Sequence, residues 1–191
     1  MERGAGAGVT KRQLEIAGSL ALASGVLTVP LVLFELATAT AEQRLVSDVL
    51  ALLQTGLAVY LFVTFRELLH DRFGFFEADR AIGFLIAASV VVFGFSLLRH
   101  LPKTPTLETL LGVASTLAAA MLGVGSVVFA LRLLRLPQRP RQLRLFAFTN
   151  VALGVCLASI VLLPLAIVMS VAADVLMGLI FFEAARRPAG G

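Results

Sequence analysis

Hydrophobic positions in this chain gather into long blocks free of charge, over residues 16–34, 49–65, 81–98, 109–131 and 145–173, with a further apolar tail after Asp174. A helix rises 1.5 Å per residue and a bilayer core is about 30 Å thick, so most blocks are long enough to cross. They predict helices over 14–36, 45–69, 80–98 and 107–134. The last stretch, 145–182, would make a single helix of about 57 Å, nearly twice that thickness, and must fold back on itself. Pro164 is the strong breaker near its centre, so the reading places a tight apolar turn at 162–165. A re-entrant segment satisfies the same arithmetic.

The fold class is therefore all-α: a polytopic membrane protein with a six-transmembrane-helix bundle built of three helix hairpins. The domain occupies 14–185, between tails at 1–13 and 186–191. Composition agrees, since 59% hydrophobic and 15% charged residues lie outside the range of a soluble globular chain. The net charge of +4 would suggest nucleic acid in another setting, but no nucleic-acid module is present and topology accounts for the excess. With alternating helices and the N-terminus inside, 13 Lys and Arg fall on inner segments and 3 (Arg44, Arg99, Lys103) on outer links. That asymmetry reads as a multi-pass plasma or inner membrane protein with both termini cytoplasmic, N-in/C-in.

Small residues mark expected close contacts. Ala17, Ala21 and Gly25 form a stripe on helix 1 at spacing four, and Gly112, Thr116 and Ala120 form another on helix 4, beside Ser115, Ala119 and Gly123. Helix 4 is thus expected to be the most tightly surrounded. Pro30 is expected to bend helix 1 near Val26.

The chemistry begins with Asp174, one ionisable residue near the middle of the apolar run 165–182. Ten Leu, Ile, Val or Phe there contribute roughly −3 to −6 kcal/mol to insertion, against roughly 2.5 to 3.5 for a central carboxylate. The segment inserts with little to spare, and Ser170, Asp174 and Gly178, on one helical stripe, should face protein or water. Gln54, Thr116 and Thr28 fall at a similar depth. One reading is a polar cluster that binds a cation or relays a proton, with Asp174 as the titrating group. The other is a hydrogen-bond knot in which a protonated Asp174 meets Gln54 or Thr116, at roughly 0.6 to 2 kcal/mol per bond. Asn150, with Gly154 and Ala158 on its stripe, reads as packing.

Elsewhere the signals are weaker. The link 70–79, HDRFGFFEAD, mixes charge with Phe73, Phe75 and Phe76, turns at Gly74 and offers Asp79 as a helix N-cap; its phenylalanines are candidates for partner or interface contact. The basic link carrying Arg139, Arg141 and Arg144 should attract anionic lipid headgroups. Glu35, Glu42, Asp48 and Glu108 lie near the outer face, as helix-end charges or an acidic vestibule. His70 and His100 fall at opposite boundaries, each an ordinary interfacial histidine, and cannot share a metal or haem. Cys156 lies in an apolar run and reads as packing. No P-loop, nucleophile elbow or His/Cys cluster occurs, so neither enzymatic activity nor a cofactor is expected. The function expected is a non-catalytic subunit, scaffold or sensor module of a larger membrane assembly, partnered by other membrane subunits or its own copies. The alternative is a small proton- or cation-coupled transporter or channel around Asp174.

Overall fold

The computed structural model describes residues 9–37, 41–98, 104–136, 140–159 and 162–186, the side chains at 34–37, 41–44 and 163 excepted. It holds six helices: α1 (Lys11–Ala37), α2 (Ala41–Phe73), α3 (Asp79–Leu98), α4 (Pro105–Leu133), α5 (Arg141–Ala158) and α6 (Leu163–Arg186). Five of them, all but α5, are long and apolar enough to cross a membrane.

Helix ends follow local chemistry. The α1 start is a capping box: the Thr10 N–H donates to Gln13 Oε1 at 2.8 Å and the Gln13 N–H to Thr10 Oγ1 at 3.3 Å. Pro30 sits inside an α1 that runs on to Ala37. At α4, Thr104 is the N-cap, its hydroxyl accepting from the Leu107 N–H at 3.4 Å, and Pro105 opens the first turn, where its missing N–H is harmless. Helix α2 closes on Gly74 at φ +57, whose N–H donates to the His70 carbonyl at 3.0 Å. This left-handed cap satisfies a terminal carbonyl and favours glycine.

Several boundaries differ from the sequence expectation: α2 begins at Ala41, and α5 begins at Arg141, which puts Arg141 and Arg144 on the helix and not in the basic link. Helix α2 takes in His70–Phe73, so the link shrinks to residues 74–78. The last reversal comes earlier than 162–165: α5 ends at Ala158, and Pro164 lies in the first turn of α6. A proline is tolerated at a helix start, so the breaker opens the second helix and does not form the turn itself.

Each helix packs on its neighbours in chain order, and α6 closes the circuit on α1. Consecutive helices run antiparallel. The core gathers at one end of this ring, where α1, α3 and α5 begin and α2, α4 and α6 finish. Leu14, Phe65, Ile82, Phe129, Phe146 and Phe181 are fully enclosed there. Phe65 is the hub, with ring centroids 6.1 Å from Phe129, 5.4 Å from Phe146 and 6.2 Å from Phe181. Both ends of the described chain thus meet at one rim: the Val9 N–H donates to Asp71 Oδ2 at 2.7 Å, and Arg72 donates to the Ala184 carbonyl at 3.1 Å.

The opposite half is loosely covered. Val26, Leu33, Leu45, Leu53, Leu110 and Val113 are each more than half exposed, which in water would be a liability and in hydrocarbon is not. The Gly112 and Thr116 part of the α4 stripe belongs to this exposed half, so α4 is tightly surrounded only from Gly123 onward. A Cβ built on Gly123 would lie 2.6 Å from the Gly154 carbonyl, and one on Gly154 would run into the Gly123 carbonyl. Helices α4 and α5 therefore touch backbone to backbone. The stripe on α1 does pack: Ala17 and Ala21 are enclosed, while Gly18 and Gly178 bring α1 and α6 together.

Candidate functional site

Helices α1 and α6 hold a polar pair between them, near the middle of both helices. Because Gly25 lacks a side chain, α1 approaches until a Cβ there would stand 3.3 Å from Asp174 Cβ. That approach brings Ser24 Oγ to 2.8 Å from Asp174 Oδ2, to which it donates. One turn on, Thr28 Oγ1 donates to the Ser24 carbonyl at 2.9 Å, so its hydroxyl is satisfied inside α1. Ser24 and Thr28 are both buried, at 9% and 7% exposure, and Asp174 is half-buried.

The other members of the predicted depth level lie elsewhere around the ring. Thr116 is exposed and donates to the Gly112 carbonyl of its own helix at 2.9 Å. Gln54 is half-buried on α2, a helix that neighbours α1 and α3. The partner that Asp174 finds is Ser24, which the sequence reading passed over. Its signal was available: Ser24 stands one position before Gly25 of the small stripe and four before Thr28. The donor set suits a proton or a packing bond better than a hard cation, which seeks six or more oxygens. Among the described residues, no group of three or more His, Cys, Asp or Glu could hold a metal ion.

A second polar cluster lies at the packed rim. Asp79 opens α3 and faces α2, receiving Arg66 at 3.1 Å on Oδ2 and His70 Nε2 at 2.7 Å on Oδ1. His70 is thus half-buried and engaged, not an ordinary solvated interfacial histidine; its ring also lies 4.3 Å from that of Phe76. The carboxylate of Asp79 ties two helices together, and Asp79 is a helical residue of α3 in place of the expected N-cap.

Of the three link phenylalanines, Phe75 turns inward at 8% exposure and joins the core, which removes it as a contact candidate. Phe73 and Phe76 remain at the surface, at 36% and 62%. Arg141 and Arg144 are exposed on the first turn of α5, while Arg139 and His100 lie outside the described residues. Glu35 and Glu42 lie outside the described side chains, Asp48 is half-buried and Glu108 exposed. Asn150 is buried, its Nδ2 donating to the Phe146 carbonyl at 2.9 Å, and Cys156 is buried with a free thiol.

No protein family, curated protein or solved structure matches the chain.

Proposed function

We propose that this chain is a non-catalytic subunit or scaffold module of a larger membrane assembly, embedded through six crossings with α5 as the sixth. The observation that carries the proposal is the one-sided packing: one end of the ring has a full core, and the other presents bare apolar helix faces. Gly56, Gly94 and Gly112, on α2, α3 and α4, each open onto empty space. Glycine inside a helix costs about 0.5 to 1 kcal/mol relative to alanine, and close approach of another helix offsets that cost. Helix α5, 18 residues long, spans about 27 Å and begins with Arg141 and Arg144 at the rim, which suits a crossing anchored by charge. In this reading the packed rim faces the cytoplasm of a plasma or inner membrane.

The tagged chain, extracted from its native membrane into lipid nanodiscs, is expected to bring stoichiometric partners or further copies with it. A solitary monodisperse monomer would overturn the assembly reading. Single cysteines placed in a Cys156→Ala background at positions 5, 100 and 189 test the threading by membrane-impermeant labelling. Positions 5 and 189 are expected to label together, and 100 on the other side.

A second reading, proton or cation passage, is favoured by the Ser24–Asp174 pair alone. Proteoliposome flux compared between wild type and Asp174→Asn decides it. Absent flux, or flux unchanged by the substitution, removes that reading.

A further inference from the structure

The packed rim holds a feature that none of these readings uses. Phe76, Glu77, Arg80, Arg132 and Arg135 line one cleft of about 310 Å³ between the start of α3 and the end of α4. Three guanidinium groups share it with one carboxylate. Charge of one sign gathered along an open cleft raises a local potential that attracts a counter-charge. Arg132 is held in place by donating through Nη1 to the Glu77 carbonyl at 2.8 Å, which aims its fork without neutralising it. Arg80 and Arg135 are exposed, on opposite elements.

We propose that this cleft binds a phosphate group, as carried by an anionic phospholipid headgroup or by free phosphate. Guanidinium forks match tetrahedral phosphate oxygens with paired N–H donors, which a single ammonium does not. The cleft sits where apolar spans end, so it lies at headgroup depth on whichever side that rim meets. The Phe76 ring, 62% exposed on the same wall, provides an apolar surface beside the charged group. Arg80 enters from the first turn of α3, far in sequence from Arg132 and Arg135, so the site exists only in the folded ring.

The test titrates the detergent-solubilised full chain with short-chain phosphatidylglycerol, short-chain phosphatidylcholine and inorganic phosphate, read by calorimetry. Phosphatidylglycerol is expected to bind more tightly than phosphatidylcholine. The double variant Arg80→Gln/Arg135→Gln is expected to weaken it about 25-fold, from about fivefold per basic residue at a membrane surface. Glu77→Gln, which removes the opposing carboxylate, is expected to tighten binding; a melting temperature measured without ligand shows that each variant is folded. Competition by inorganic phosphate at comparable concentration identifies free phosphate as the source, and its failure to compete identifies the lipid. Equal binding of the two lipids with no phosphate binding, or unchanged affinity in the folded double variant, overturns the proposal.

Discussion

Ser24 and Asp174 are 150 positions apart, yet the serine hydroxyl donates to the carboxylate at 2.8 Å across the α1–α6 contact. In a low-dielectric surrounding that bond gives the half-buried acid its partner among the described residues. Ser24→Ala is expected to destabilise the protein by about 1 to 3 kcal/mol, the cost of stranding a buried polar group. In a double-mutant cycle with Asp174→Asn, the coupling should be about 0.6 to 2 kcal/mol. Unfolding in mixed micelles measures both. Additive effects would mean that the pair is not energetically linked.

The glycines separate into two kinds, and alanine substitution should sort them. Gly123 and Gly154 face each other's carbonyls so closely that a Cβ on either would collide with the other's backbone. Alanine at either position forces α4 and α5 apart and should cost about 1 to 3 kcal/mol. Gly83 and Gly94 have nothing within 4 Å, so alanine there should stabilise the isolated chain by about 0.4 to 1 kcal/mol. Melting temperatures of the four variants check the contrast; a uniform response would refute it.

Phe65 meets three other rings and is fully enclosed. Phe65→Ala is expected to cost about 3 to 5 kcal/mol through lost burial and the cavity left behind. Phe65→Leu should recover much of that. Because the core lies at one end, hydrogen exchange should accelerate near residues 61–69 and 177–185 and change little near 107–117.

Asp79 holds Arg66 and His70 together across the α2–α3 link. Half of the Arg66 side chain is in solvent, which screens that contact, so Asp79→Ala should cost only about 1 kcal/mol. The local effect should exceed the global one. Limited proteolysis within residues 74–78 is expected to quicken several-fold while the melting temperature moves by a few degrees; equal cleavage rates would argue against the clasp.

Much of this architecture was legible in one dimension. Segment positions, the fold-back of residues 145–182 and the antiparallel order came from block length alone. The stripe Ala17, Ala21 and Gly25 announced a close contact that α6 makes. The α4 stripe misled because small residues permit an approach without requiring one, and no other described helix comes near Gly112. Phe75 misled because a link residue faces inward or outward according to a turn geometry that composition does not specify.

What the chain by itself determined was which segments are long and apolar enough to cross a membrane and where each residue stands along them, because transfer free energy into lipid accumulates along a segment without reference to any other. The place of Asp174 midway along its apolar segment could therefore be read from the sequence. The tertiary structure decided its azimuth: which way each helix is rotated and which neighbour it meets around the ring. Gln54, Thr116 and Thr28 were the residues expected at its level, and the glycine-permitted approach of α1 to α6 selected Ser24, since a hydrogen bond requires both the position along a helix and the rotation about it.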